Sequence, residues 1–346
     1  MGVSRRAFAS LAAAAAFSPA LPAQARSTMK LIKPPRLAPG DTVAILAPSG
    51  RTNEAAVERC VRNLETLGFR ARVGANILAQ HGNYAGSVAE RVADLHAALL
   101  DPAIKAIWAV RGGSGGISAL PYIDYKLVRA HPKALIGYSD ITTYHYAFLR
   151  QAGVVSFHGP VLGSSHPSEF SMAQLMALLC DPQPSMTLPL APENIERARD
   201  NPLYAARTIH SGVATGPLLG GNLSLVAALA GTPYGIDFKD HLLFLEDVNE
   251  PPYKIDRMMT QLDLAYGFDR ARALIVGVCE ECGPKDADPA LSFEQTMDLH
   301  LQPRKIPTVI GYSFGHIRDQ ITLPMGIQAR LDTEAQTLTL LEPAVA

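Results

Sequence analysis

Thr42-Val43-Ala44-Ile45-Leu46-Ala47-Pro48-Ser49-Gly50 is a short apolar run that stops in a proline-glycine turn, and an amphipathic stretch follows it from Asn53 to Leu67. A run of this length suits a strand buried on both faces. In the stretch that follows, Ala56, Val57, Cys60, Val61 and Leu64 recur at helical spacing, and Gly68 closes it. One strand feeding one helix in this way predicts a parallel βαβ unit, because only a crossover helix can return the chain to a parallel neighbour.

The alternation continues on the far side. Arg70 to Val73 reads as a strand, Val88 to Leu100 as a helix stopped by Asp101-Pro102, Ala106 to Val110 and Ala134 to Tyr138 as strands, and Thr142 to Gln151 as a helix. Val154 to Phe157 and a helix near Ser171 to Cys180 complete a first domain, 30–181. Residues 182–211 are rich in proline, asparagine and charge without clear periodicity, which predicts a connection. A second domain, 212–346, holds a glycine turn Gly220-Gly221-Asn222 and a helix Leu223 to Leu229. Strands His241 to Leu245, Ala273 to Val278 and Thr308 to Gly311 alternate with helices Tyr253 to Ala265 and Ser292 to Leu301. A hairpin over Gln328 to Leu341 closes it. The fold class is α/β.

At 346 residues and 48% hydrophobic content the chain is long enough for two cores. Its net charge of -1 lacks the basic footprint of a nucleic-acid binder or of a protein drawn to anionic membranes, so a small or neutral ligand suits it better. Ser4-Arg5-Arg6-Ala7-Phe8, the apolar run Leu11 to Phe17 and the small triplet Ala23-Gln24-Ala25 stand in the order of a twin-arginine export peptide over 1–25. Export to the periplasm is expected, with a cytoplasmic form if translation starts at Met29. The apolar run is too short to span a bilayer, and no later run is long enough. Cys60, Cys180, Cys279 and Cys282 are too few for a disulfide scaffold; Cys279-Glu280-Glu281-Cys282 has redox or metal-ligand spacing but lacks a second such pair or a nearby histidine pair. No metal and no cofactor are expected.

Ligands of a parallel sheet bind beyond the carboxyl ends of its strands, so the turns there are the candidate chemistry. Arg111-Gly112-Gly113-Ser114-Gly115-Gly116 exposes backbone N–H groups and lets a ligand approach closely, yet it fits neither a dinucleotide nor a phosphate fingerprint. Gly137-Tyr138-Ser139-Asp140 turns abruptly from strand to helix. A serine there points its hydroxyl out of the sheet, with the Asp140 N–H at a helix N-terminus able to meet an oxyanion. Local sequence explains Ser139 or Asp140 equally well as a helix cap. Ser114 is a rival nucleophile, since its glycine-flanked run formally matches GxSxG, but no obvious helix follows it. In the second domain Glu246-Asp247 ends one strand and Gly315-His316 follows another, a carboxylate and an imidazole that can act as an orienting acid and a general base. Asp247 and Glu250 compete with Glu246 for the first role. His158 reads as structural, and Tyr253 and Arg257 as packing or ion-pair residues.

Ala85-Gly86 with Glu90-Arg91, Arg111-Gly112-Gly113, Gly137-Tyr138-Ser139-Asp140, Phe157-His158-Gly159-Pro160, Gly220-Gly221-Asn222-Leu223, Leu245-Glu246-Asp247, Pro252-Tyr253-Lys254-Ile255-Asp256-Arg257-Met258 and Gly315-His316 together resemble the LD-carboxypeptidase family of serine peptidases. That family includes muramoyltetrapeptide carboxypeptidases and microcin-immunity peptidases. The resemblance runs from Pro34 to Gly326. It implies a flavodoxin-like parallel-sheet domain followed by a smaller β-rich α/β domain, with Ser139 as nucleophile, Glu246 and His316 completing a triad, and backbone N–H groups of Gly113 and Asp140 as the oxyanion hole. It further implies hydrolysis of the L,D-amide bond before a terminal D-alanine in cell-wall tetrapeptides, and a homodimer. Two alternatives stand beside it: a microcin-type peptidase that cleaves a peptidyl-nucleotide, and a periplasmic binding protein without chemistry. Ser114 departs from the aromatic residue common at that position of the family.

Overall fold

The computed structural model describes residues 29–165, 167–285 and 290–346. By compactness the chain divides into Met1–Lys30 and Leu31–Ala346. The expected export peptide at 1–25 lies outside the described residues.

Strands β1 (Thr42–Leu46), β2 (Arg70–Val73), β3 (Ile104–Ala109), β4 (Ala134–Gly137) and β5 (Phe157–His158) come first in the chain. They are followed by β6 (Met186–Leu188), β7 (Arg207–His210), β8 (Val213–Asn222), β9 (Leu242–Glu246), β10 (Ala273–Val278), β11 (Thr308–Gly315), β12 (Leu323–Pro324), β13 (Gln328–Asp332) and β14 (Thr337–Leu340). One sheet runs β2-β1-β3-β4-β5-β12, parallel from β2 to β5 with β12 antiparallel at the edge. The order 2-1-3-4-5 is that of flavodoxin-like folds, as expected. The helices Glu54–Thr66 and Val88–Leu100 begin on side-chain caps, Asn53 and Ser87, the latter completing a capping box with Glu90. β4 and, apart from the exposed Lys105 near its start, β3 are apolar because both faces are covered: Ile107, Trp108, Leu135 and Ile136 are buried.

The second sheet runs β6-β14-β13-β8-β9-β10-β11-β7. Its centre, β8 to β11, is parallel, and its flanks are antiparallel. In β9 and β10 every side chain is buried. Both sheets therefore present the carboxyl ends of parallel strands, and two links bring those ends together. After His316 the chain returns to the first sheet as β12, where Leu323 pairs with His158 and Pro324 with Phe157. At the end of β8, the Asn222 N–H donates to Thr142 Oγ1 at 3.1 Å. A side chain at Gly221 would fall 2.6 Å from Thr142, so only glycine admits this approach.

Four features differ from the sequence reading. The expected connection 182–211 contributes β6 and β7 to the second sheet, with a short helix Pro192–Arg197 between them. These are edge pieces too brief to show a period. The glycine turn at 220–222 is the end of a ten-residue strand; a Cβ at Gly220 would strike the Phe244 carbonyl oxygen on β9. Gly311, read as the end of a strand, is instead a point of positive φ inside β11, beside a register shift against β10. β11 runs on to Gly315, so His316 stands directly at its end and not in a loop. Finally, a short helix Gly116–Ala119 does follow Ser114.

Candidate active site

The turn after β4 is an elbow. Tyr138 is extended and Ser139 has φ of 64°, a left-handed conformation that costs a non-glycine residue energy, after which a 3₁₀ turn Ser139–Ile141 opens into the helix Thr142–Ala147. Asp140 is no helix cap: its Oδ2 accepts the Gly116 N–H at 2.7 Å and ties the elbow to the glycine loop. The loop is held from other sides as well. Gly50 N–H donates to Gly112 O at 3.1 Å. The buried guanidinium of Arg91 donates to Pro48 O at 3.1 Å and Gly115 O at 2.7 Å. Gly112 lies so close to the elbow that a Cβ on it would be 2.9 Å from Ser139 Oγ. Gly112 and Gly113 line the same cavity as Ser139.

At the ends of β9 and β11 the chemistry is electrostatic. Glu246 is fully buried, and its Oε2 sits 2.7 Å from Nδ1 of His316. Burial by itself would raise the Glu246 pKa, but the adjacent His316 charge and hydrogen bond outweigh it and hold the carboxyl below its ordinary value. The same pair acts on the imidazole: burial pulls its pKa down, and Glu246, with help from Asp247 and Glu280, carries it above the ordinary histidine value. With Nδ1 engaged, Nε2 is the nitrogen left to take a proton. His158, also fully buried, brings Nε2 to 4.0 Å from Glu246 Oε1, and burial depresses its pKa to about 4.

Geometry separates the three carboxylates that the sequence left in competition. Asp247 accepts from Asn222 Nδ2 at 3.1 Å, from Ser224 N and Oγ at 2.9 and 2.7 Å, and from Val248 N at 2.8 Å. All of these bonds are to neutral donors that fix the strand ends. Glu250 pairs with Lys254 at 3.1 Å, one turn along the helix Pro252–Tyr266. Glu246 is the carboxylate on the imidazole.

Ser139 and His316 line one cavity of about 760 Å³, together with Tyr138, Gly112, Gly113, Val110, Val161, Gly163, Ser164 and residues of the 51–59 segment. Tyr138 packs its ring edge on the His316 ring with centroids 4.7 Å apart. A hydrogen bond between Ser139 Oγ and His316 is not formed among the described residues; such bonds often tighten only when substrate is bound. Ser114 is not on this cavity, and its Oγ accepts from Asn83 Nδ2 at 2.7 Å, so it lacks a base. Tyr253 is 60% exposed and stacks with Arg257 away from the cavity. Cys279 and Cys282 are buried free thiols at the end of β10, and the described residues contain no cluster of three or more metal-ligating side chains. Sequence reading did not give Arg91 its loop-holding role and did not place Arg51 or Arg59 at the cavity; Glu90-Arg91 within the family motifs was the available signal. A hydroxyl, a carboxylate-held imidazole and a glycine loop on one cavity can carry acyl transfer through a serine ester.

Residues 43–159 match the LD-carboxypeptidase N-terminal domain, and residues 215–331 match the LD-carboxypeptidase C-terminal domain. A probable murein peptide carboxypeptidase of Bacillus subtilis is 34% identical over 314 residues, covering 89% of this chain and 94% of that protein. The microcin C7 self-immunity protein MccF of Escherichia coli is 26% identical over 330 residues, 88% of this chain and 94% of its own length. The crystal structure of a muramoyltetrapeptide carboxypeptidase from Oxalobacter formigenes superposes with a TM-score of 0.74 at 28% identity, over 86% of this chain and 97% of that one.

Proposed function

The chain belongs to the LD-carboxypeptidase family, and from that premise we propose that it releases the terminal D-alanine of cell-wall tetrapeptides by way of Ser139, His316 and Glu246. It is a serine-type carboxypeptidase by family. His316 Nε2 takes the Ser139 proton as Oγ attacks the carbonyl carbon of the L,D-amide, and N–H groups of Gly113 and Asp140 receive the oxyanion. His316 then protonates the departing amine of D-alanine, and water hydrolyses the ester by the same route in reverse. Glu246 keeps the proton on Nδ1 and stabilises the imidazolium.

The observation that carries this reading is the 2.7 Å Glu246–His316 pair opening onto the cavity that holds the strained Ser139. The microcin-type alternative gains nothing from the single tryptophan, since Trp108 is buried inside β3 and donates to Pro160 O at 2.8 Å, leaving it no face for a nucleobase. Mass-spectrometric analysis of a murein tetrapeptide incubated with the purified protein tests the proposal: loss of one D-alanine is expected, together with covalent labelling of Ser139 by a fluorophosphonate. An unchanged tetrapeptide would defeat the substrate assignment, and labelling at another serine would defeat the assignment of the nucleophile.

We place the enzyme in the periplasm, on the strength of Ser4-Arg5-Arg6-Ala7-Phe8 and the segments after it. Cell fractionation should find it there, and replacing Arg5 and Arg6 by lysine should leave it in the cytoplasm. No helix among the described residues is long and apolar enough to cross a membrane. Family likeness supports a homodimer, which light scattering on the purified protein measures.

A further inference from the structure

The cavity that holds Ser139 and His316 is lined by Arg51, Arg59 and Arg111 and by no aspartate or glutamate. This is a local excess of positive charge on a chain whose net charge is -1. None of the three guanidinium groups forms an ion pair among the described residues, although most arginines elsewhere on the surface do so, for example Arg207 with Asp298 and Arg272 with Asp240. Arg59 is half-buried on the helix Glu54–Thr66, and its Nε donates to Gly163 O at 3.2 Å, which fixes the side chain and leaves its terminal nitrogens as donors. Arg111 starts the glycine loop. Its Nε lies 3.5 Å from the point a Cβ on Gly50 would occupy and 3.8 Å from that of Gly113, so the side chain folds over the loop next to the backbone that meets the oxyanion.

We infer that this arginine wall is a carboxylate subsite, with Arg111 binding the free α-carboxylate of the residue to be released and Arg51 and Arg59 adding their field. The inference rests on the carboxypeptidase reading and deepens it. An exopeptidase must tell a terminal residue from an internal one, and the chemical difference is a carboxylate one residue beyond the scissile carbonyl. Consecutive Cα atoms are about 3.8 Å apart, so the recognising group has to stand close beside the oxyanion donors. Arg111 stands there, separated from Ser139 by Gly112. A planar guanidinium can meet a carboxylate with two parallel hydrogen bonds, which an ammonium or an amide cannot reproduce. Ion pairs across water-filled space are weak, but a bound peptide would exclude much of the water from this cavity and strengthen the pair.

The test compares two peptides of one sequence, the tetrapeptide ending in D-alanine and the same peptide ending in D-alaninamide, hydrolysed by the wild type and by Arg111→Gln, Arg111→Lys and Arg59→Gln. A charge-assisted hydrogen bond predicts that the wild type prefers the acid by about 10-fold to 100-fold in kcat/KM. In Arg111→Gln that ratio should fall to within about threefold, mostly through a higher KM for the acid, while Arg111→Lys should retain part of it and Arg59→Gln should lose less than Arg111→Gln. Both positions lie on the cavity wall and not in the core, so melting temperatures should match the wild type. A wild type that prefers the acid, with the preference intact in Arg111→Gln, would overturn the inference and leave the carboxypeptidase reading standing. Release of no D-alanine by any of the four proteins would defeat both.

Discussion

Two strand ends supply this site, and they are built on different physics. The end of β4 relies on backbone geometry: a serine at φ of 64°, glycine packed against its side chain, and a loop cross-tied by Asp140 and Arg91. The ends of β9 and β11 rely on charge: a fully buried carboxylate that burial would push up, held below its ordinary pKa chiefly by the His316 imidazole that faces it. The contrast teaches that a neutral hydroxyl needs placement above all, whereas a base needs a partner that holds its proton affinity up. The two ends should accordingly fail in different ways when altered.

The largest effects break the chemistry at either end without breaking the fold. Ser139→Ala and His316→Ala should each lower kcat by about 10³-fold or more, read by D-alanine release, with unfolding midpoints close to the wild type. Ser139→Gly sharpens the comparison further: it should be equally inactive, yet more stable to heat by up to about 1 kcal/mol, because glycine takes positive φ without strain. A less stable glycine variant would show that the elbow is not strained.

Next come the adjacent carboxylates. Glu246→Gln should lower kcat by about 10²-fold to 10⁴-fold with a modest change in stability, since the amide cannot hold the imidazole in the same state. Asp247→Asn should do the reverse, costing about 2–3 kcal/mol in urea unfolding through its bonds to Asn222, Ser224 and Val248, with kcat changed far less. A large kcat loss in Asp247→Asn beside a mild one in Glu246→Gln would reverse the assignment.

Smaller, and informative in sign, is the pH dependence. The base must be neutral, and its folded-state pKa is raised, so kcat/KM should fall as pH drops through a midpoint above 6.5, the ordinary histidine value. In Glu246→Gln, where burial is opposed only by the smaller contributions of Asp247 and Glu280, that midpoint should move down.

Two other histidines of the same fold are shifted the opposite way. His145 and His158 are fully buried, with pKa values pushed down to about 3 and about 4 by burial. The unfolded chain therefore binds protons that the folded one refuses, and stability present above pH 6.5 is lost as pH falls toward those values, by up to about 1.4 kcal/mol per unit of pKa difference. Thermal melts from pH 7 to pH 4 measure it, and replacing His145 by glutamine should flatten the fall.

Much of the fold was legible in the sequence because helix and strand patterns are local. The amphipathic stretches that begin near Asn53 and Val88, the apolar runs of β1, β4, β9 and β10, and the closing hairpin all announce themselves within a few residues. β6 and β7 did not, being short edge strands whose pairing partners lie far along the chain. β8 did not because its glycines read as a turn, although they are required by the closeness of Phe244 and Thr142.

The amino-acid order by itself determined the alternation of elements and the motifs at the strand ends, since both depend on neighbours in the chain. It also put serine, glutamate and histidine at the ends of three strands. Only the tertiary structure decided which carboxylate serves the histidine. Glu246 and His316 are 70 residues apart, and a shift of one position in β9 would turn Asp247 toward the imidazole. The arginines of the cavity likewise became a group only when the helix Glu54–Thr66 and the loop after β3 were packed side by side.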